Sequence, residues 1–149
     1  MDKTDQMILD ILQTEGRIPL KRLAERVHLS SPAASARMER LEREGYITGY
    51  RAVVDRAKLG FHITAFVNIE MEPERKREFS DFARGCPNVL ECAAVTGEYS
   101  MLVKVAFRST EELDSFVGKL QRYGRTSTQV VFSTPVEARG ITSAEALSE

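Results

Sequence analysis

The fold of the first third of this chain is decided by Leu20–Gly45, LKRLAERVHLSSPAASARMERLEREG. Its apolar residues recur at helical spacing on both sides of a short break at residues 28–30, and charged residues occupy most of the other positions. Two short amphipathic helices joined by a tight turn are therefore predicted. This arrangement is typical of a helix-turn-helix motif, whose second helix enters the major groove of DNA.

Local signals mark the turn and both ends of the second helix. Ser30 or Ser31 can cap its first N–H groups, Pro32 suits its first turn, and Gly45 suits its end. The turn departs from the usual pattern at His28. The chain needs a positive φ there, which glycine adopts most easily and histidine tolerates.

The exposed face of the second helix has small side chains near its start and arginines further on. Small residues let a helix lie deep in the major groove, and arginine can bind guanine edges or phosphate groups. The predicted DNA-binding residues are Arg17, Lys21, Ser30, Ser31, Ala33, Ser35, Arg37, Arg40 and Arg43. For Arg37 and Arg40 the alternative is an ordinary solvated helix face.

The distribution of charge also favours nucleic acid at the N-terminal end. The 149-residue chain has a net charge of -1, but residues 17–43 carry seven Lys and Arg against three Asp and Glu, a local balance of +4. Residues 61–149 carry ten against thirteen. Because the basic footprint is modest, tight binding to double-stranded DNA is expected of a homodimer that doubles it.

Beyond Gly60 the pattern changes to alternating strands and helices. Strands are predicted at residues 63–71, 89–95, 101–107 and 127–132, and helices at residues 74–84 and 111–123. This β-α-β-β-α-β order favours a ferredoxin-like sandwich, with both helices on one face of a four-stranded sheet. The open face carries a mixture of polar and apolar residues, which suits either a dimer interface or an ordinary solvated surface.

The chain is therefore predicted to be an α+β protein with two domains. Residues 1–50 form a helix-turn-helix domain that is winged-helix-like, and residues 61–149 form the ferredoxin-like domain. Between them, residues 51–60 are a linker strand. The β-rich composition of residues 46–55, YITGYRAVVD, predicts a wing hairpin or a strand that leaves the first domain.

Several function classes are disfavoured by the sequence. No apolar run approaches membrane-spanning length and no secretory leader opens the chain, so a cytoplasmic protein is expected. His28 and His62 have no metal-ligand or acid–base pattern around them, and Cys86 and Cys92 are not spaced as a C-x-x-C pair. We therefore predict a protein that is not an enzyme and has no metal or other cofactor.

One set of motifs extends along nearly the whole chain. It comprises Lys3-Thr4-Asp5 near the start, the Gly16-Arg17 pair, LAERVHLSSPAASARMERLEREGYITGY, Lys58-Leu59-Gly60 and the β-α-β-β-α-β order. Together these features resemble the leucine-responsive regulatory protein/AsnC (Lrp/AsnC) family, the feast/famine transcription regulators of bacteria and archaea. The resemblance implies a sequence-specific DNA-binding regulator. It also implies dimers that often assemble to octamers and bind a small amino acid near subunit interfaces.

The resemblance also implies an effector loop between the second and third strands. Family members commonly carry an aspartate at its last position, which here is Ser100, and a hydroxyl cannot supply the charge that meets the ligand's amino group. The segment Arg125-Thr126-Ser127-Thr128 matches the other polar wall. The predicted effector-binding residues are Gly97, Glu98, Tyr99, Ser100, Thr126 and Thr128. The alternative is a simple hairpin turn beside a threonine-rich strand.

Two other functions remain open from the sequence. One is an architectural protein that binds DNA without an effector. The other is an enzyme similar to the sirohaem decarboxylases, which have the same two-domain build and use histidines of the C-terminal sheet. His62 is the candidate for such a role.

Overall fold

The computed structural model describes residues 1–141, which divide into two compact units. Residues 1–53 and 136–141 belong to the first unit, and residues 54–135 form the second. The division near residue 53 lies inside the segment that the sequence analysis assigned to the linker. Residues 136–141 group with the N-terminal unit, whereas the sequence placed them in the C-terminal domain. Within the first unit, Gln13 Nε2 donates a hydrogen bond of 3.0 Å to the carbonyl of Ile141.

The N-terminal unit contains three helices, α1 (Lys3–Thr14), α2 (Leu20–Arg26) and α3 (Ser31–Arg43). Their apolar stripes meet in one core, whose buried members are Ile8, Ile11, Leu23, Val27 and Leu41. Burial of an aliphatic side chain of this size contributes roughly 1.5–3 kcal/mol. The core therefore holds together three helices that would be too short to be stable alone.

The tight turn between α2 and α3 forms as predicted. His28 has a φ of 55°, and Gly45, just beyond α3, has a φ of 78°. Of the two candidate caps it is Ser30 that acts, because its Oγ accepts a hydrogen bond of 3.3 Å from the N–H of Ala33.

The wing prediction is wrong for this structure. Residues 46–55 contain neither a hairpin nor a strand, and the linker at residues 51–60 is an exposed segment that ends in a short 3-10 turn, Ala57–Leu59. A β-rich composition makes a strand only where another strand supplies hydrogen-bond partners. Within residues 1–141 every strand belongs to the sheet of the second unit, so this segment has no partner strand.

The C-terminal unit has the predicted β-α-β-β-α-β order. Its elements are β1 (Ile63–Met71), α4 (Lys76–Gly85), β2 (Val89–Ala94), β3 (Met101–Phe107), α5 (Thr110–Leu120) and β4 (Gly124–Val130). The four strands form one antiparallel sheet in the order β2-β3-β1-β4. Among the described residues, no helix is long and apolar enough to cross a membrane.

Side chains of β1 and β3 alternate between the two faces of the sheet. Val67 of β1 is paired with Val103 of β3, and both side chains are fully buried beneath the helices. On the opposite face Phe66 is paired with Lys104, whose Nζ lies 5.6 Å from the centre of the Phe66 ring. Because side chains alternate along a strand, one face supplies the core and the other remains open.

The edge strand β4 begins three residues earlier than the 127–132 segment predicted from the sequence. The cause is the close approach of Gly124 to the end of β1, where a Cβ added to Gly124 would lie 1.8 Å from the carbonyl oxygen of Glu70. Only a residue without a side chain allows the two backbones to come this close.

Replacement of Gly124 by alanine is therefore expected to destabilise the C-terminal unit by about 2 kcal/mol, because the backbone of β1 must move to admit the methyl group. The matched control is Gly118→Ala in α5, where an added Cβ meets no atom within 4 Å. That change should be neutral or stabilising by up to about 1 kcal/mol, because alanine favours the helix. Urea unfolding of both variants measures the difference, and equal stability of the two would contradict the close-approach argument.

Candidate nucleic-acid interface and ligand loop

A buried carboxylate joins α1 to α3, the predicted recognition helix. Asp5 is 1% exposed, its Oδ1 lies 2.8 Å from Arg37 Nη1, and its Oδ2 lies 2.6 Å from Arg40 Nη2. Asp2 adds a second carboxylate at 2.6 Å from Arg37 Nη1. Two arginines from one side of α3 are thus bound to the first turn of α1.

The same two aspartates cap α1 reciprocally. The N–H of Asp5 donates to Asp2 Oδ1 at 2.9 Å, and the N–H of Asp2 donates to Asp5 Oδ2 at 3.0 Å. This capping box satisfies two backbone donors that a helix leaves free at its N-terminus, where negative charge is also favoured. Asp5 consequently accepts hydrogen bonds from three donors.

The cluster lowers the pKa of both carboxyl groups. Burial alone would raise the pKa of Asp5, but the N–H of Asp2 and the guanidinium groups of Arg37 and Arg40 outweigh it, and the pKa is lowered. The hydrogen bond from Arg37 is the main reason why the pKa of Asp2 falls to about 2. Both groups are therefore ionised at neutral pH, as the ion pairs require.

This geometry changes the interpretation of two predicted DNA-binding residues. The sequence predicts that Arg37 and Arg40 either contact DNA or belong to an ordinary solvated helix face, whereas the structure pairs both with Asp5 and leaves them 28% and 38% exposed. Their first role is to fix the orientation of α3 against α1. The sequence analysis did not include Asp2 among the functional residues. Two aspartates three residues apart at the start of one helix, and two arginines three residues apart on another, could have indicated ion pairs between these helices.

The other predicted DNA-binding residues remain accessible to different degrees. Arg17, Lys21, Ser30 and Arg43 are exposed, and Ser31, Ala33 and Ser35 are partly buried on α3. The hydroxyl of Ser30 is occupied by the helix cap, and Ser35 Oγ donates to Glu39 Oε1 at 3.1 Å. The structure thus places exposed Arg43 at the end of α3, exposed Lys21 in the first turn of α2 and exposed Arg17 in the turn that precedes α2.

In the second unit, the loop predicted to bind an effector is held to β1 by Ser100. The N–H of Ser100 donates to the carbonyl of Ile69 at 3.0 Å. Its Oγ accepts a hydrogen bond of 3.2 Å from the N–H of Met71. The hydroxyl that stands where the family has an aspartate is therefore engaged with the backbone of the sheet.

Arg125 is the residue of β4 that the structure joins to this loop. Its Nε donates to Glu70 Oε2 at 2.8 Å, its Nη2 pairs with Glu98, and its guanidinium lies 5.4 Å from the centre of the Tyr99 ring. The hydrogen bond with Glu70 is the main reason why the pKa of Arg125 is raised. One cation thus holds two carboxylates and an aromatic ring around the loop.

Thr126 and Thr128, the two predicted effector-binding residues of β4, lie on the helix side of the sheet. They are paired with Ile69 and Val67, whose side chains are buried beneath the helices. Paired residues of antiparallel strands share a face, so both threonines point to the helix side of the edge strand. Arg125 lies in the segment that matches the polar wall but is not among the predicted effector-binding residues, because strand register decides which of these neighbours faces the loop.

The Asp2–Asp5 cluster predicts an acid-sensitive N-terminal unit. Both pKa values are lowered on folding, so their stabilisation is present above the ordinary carboxyl pKa of 3.8 and is lost as the pH falls toward 2. We expect helical circular dichroism to report this loss during acid titration. Asp5→Asn should show a flatter pH dependence over the same range, and an unchanged profile would contradict the assignment.

The loop makes a separate prediction. Ser100→Ala removes the acceptor for the N–H of Met71, which is expected to cost about 1–2 kcal/mol of stability. Ser127→Ala, on the open face of β4, is the matched control and should change stability by less than about 0.5 kcal/mol. Thermal unfolding of both variants provides the measurement, and an equally small effect for Ser100→Ala would show that its hydroxyl is not structural.

Each of the two parts of the chain matches a known protein-family model. Residues 1–48 match a model described as "Winged helix-turn-helix DNA-binding", and residues 64–141 match one described as "Lrp/AsnC ligand binding domain". The second match alone covers more than half of the chain.

Known proteins agree with this assignment. The uncharacterized HTH-type transcriptional regulator YezC of Bacillus subtilis is 41% identical over 134 residues, which cover 90% of this chain and 95% of the relative. The transcriptional regulator NMB0573 of Neisseria meningitidis, solved as an L-Met complex, has a TM-score of 0.87 at 29% identity, with 92% and 93% of the two chains covered. The feast or famine regulatory protein Rv3291c of M. tuberculosis, solved with L-methionine, has a TM-score of 0.88 at 27% identity, with 95% and 98% covered.

These proteins are named as regulators and not as enzymes, which agrees with the prediction from the sequence. His62, the candidate for the enzymatic alternative, is an exposed residue just before β1. The chain belongs to the Lrp/AsnC family of helix-turn-helix transcriptional regulators.

Proposed function

We propose that this regulator binds double-stranded DNA as a homodimer and that a small amino-acid effector changes its binding. The observation that carries the proposal is a helix-turn-helix unit whose α3 is fixed by Asp5, on the same chain as a ligand-binding domain. The first feature supplies a rigid reading helix. The second supplies a place where a metabolite can act.

For DNA recognition, paired α3 helices would enter successive major grooves about 34 Å apart. Arg17, Lys21 and Arg43 are exposed cations, and we propose that they contact phosphate groups and so set the register of the protein on the DNA. The small residues Ser31 and Ala33 allow close approach to the bases. The local excess of basic residues in this region supports the same orientation.

The open face of the sheet is the proposed dimer surface. Phe66 and Leu102 lie on this face and are partly buried within one chain, and Lys104 covers the Phe66 ring. A face of mixed character is suited to association with a second copy. Further assembly to an octamer follows from the family resemblance, and an effector would act by shifting the dimer–octamer equilibrium and hence the spacing of the α3 helices.

For the effector, the two relatives solved with methionine favour a small amino acid. Ser100 cannot provide the carboxylate that other family members have at this position. Glu98 lies in the same loop and is held by Arg125 together with Glu70. We propose that Glu98 meets the effector's amino group and that Arg125 meets its carboxylate, since guanidinium groups bind carboxylates in a bidentate manner.

The test is binding of the purified protein to its own upstream DNA and to random DNA of equal length, at two salt concentrations, with and without methionine and a pool of amino acids. Preferential and salt-sensitive binding that changes with the amino acids is the expected result. Preferential binding that ignores them would mean that Ser100 marks a lost or altered effector pocket. Binding without either sequence preference or a response to amino acids would favour the architectural alternative. Failure to prefer either DNA would contradict sequence-specific regulation.

A further inference from the structure

A groove in the N-terminal unit is lined by two arginines that form no ion pair within residues 1–141. It lies between the turn that joins α1 to α2 and residues 49–53, which we call the exit segment because the chain leaves α3 through it. Arg17 lines the groove from the turn, and Arg51 lines it from the exit segment. Arg51 lies outside the set of DNA-binding residues predicted from the sequence.

The charge of the groove is uncompensated. Arg17 and Arg51 are both exposed, and neither takes part in an ion pair with another residue of the described chain. Other arginines of this unit are paired, for example Arg26 with Glu15 at 2.5 Å. The lining residues of the groove include no aspartate or glutamate. Two unpaired guanidinium groups on one concave surface attract an anion.

The exit segment is held beside the recognition helix. The hydroxyl of Tyr50 donates a hydrogen bond of 2.8 Å to Glu42 Oε1 on α3. Burial, followed by the interaction with Glu42, raises the pKa of Tyr50 to about 12, so the phenol keeps its proton at neutral pH. Because Arg51 follows Tyr50 directly, its backbone is anchored next to the helix that is proposed to enter the major groove.

We infer that this groove binds a phosphate of the DNA backbone that flanks the base pairs contacted by α3. The inference rests on the proposed DNA-binding function and adds Arg51 as a contact residue. Two guanidinium groups can surround one phosphate with several charge-assisted hydrogen bonds. Such a contact carries no sequence information, so it sets affinity and register and leaves base preference unchanged.

Arg51→Ala is the first test, measured as affinity for the upstream DNA and for random DNA over a series of salt concentrations. We expect a loss of roughly tenfold at low salt on both DNAs and a decrease of about 0.9 in the slope of log K against log salt. Arg51→Lys should retain most of the slope because it keeps the charge. The matched control is Arg77→Ala, which removes an exposed arginine from α4 in the other unit.

A second measurement locates the phosphate. Upstream duplexes that carry a single neutral methylphosphonate at successive flanking positions should reveal one position at which the unmodified protein loses affinity and Arg51→Ala does not. A double-mutant cycle with Arg17→Ala should give losses that are less than additive, because both arginines contact the same group.

The outcomes separate this inference from the function on which it rests. If the unmodified protein binds DNA and Arg51→Ala binds as Arg77→Ala does, the groove is not a phosphate site and the proposed function still stands. A loss confined to the upstream sequence would also overturn the inference, because it would indicate a base contact. If the unmodified protein binds neither DNA, both the proposed function and this inference fail.

Discussion

The buried carboxylate of Asp5 is the interaction on which the DNA-binding unit depends. Removing a carboxylate from water costs several kcal/mol unless charged and polar partners replace the lost hydration. Here the replacement comes from the N–H of Asp2 and from Arg37 and Arg40, so the group is satisfied only when α1 and α3 lie in one relative position. The apolar core brings the helices together, and this charge network selects their orientation.

Local features of this fold were predictable from the sequence, and contacts between distant residues were not. The cap at Ser30, the positive φ of His28 and the alternating faces of β1 and β3 follow from short-range rules, and the structure contains all of them. The missing hairpin at residues 46–55 illustrates the limit, because β-propensity is realised only beside another strand. The start of β4 at Gly124 likewise depends on a neighbour, the carbonyl of Glu70, that lies far away in sequence.

In the candidate sites, too, local features were predictable from the sequence and contacts between distant residues were not. Exposed Arg17, Lys21 and Arg43 were identifiable as candidates for DNA contact because motif position and charge are local properties. The ion pairs of Arg37 were not predictable from local sequence, because the partner Asp5 lies 32 residues away on another helix. The contacts of Arg125 with the loop were not predictable either, because they depend on the register of the edge strand β4. In the loop, the hydroxyl of Ser100 accepts a hydrogen bond from the backbone of β1, and the charged groups beside it are Glu70, Glu98 and Arg125.

The most direct test of this account is native-state amide hydrogen exchange of Asp5→Asn compared with the unmodified chain at neutral pH. Loss of the charge that holds α1 to α3 should lower protection throughout both helices together, by an amount equivalent to about 3 kcal/mol, while β1 and β3 keep their protection. Faster exchange confined to the first turn of α1 would contradict the account, because it would reduce Asp5 to an ordinary helix cap.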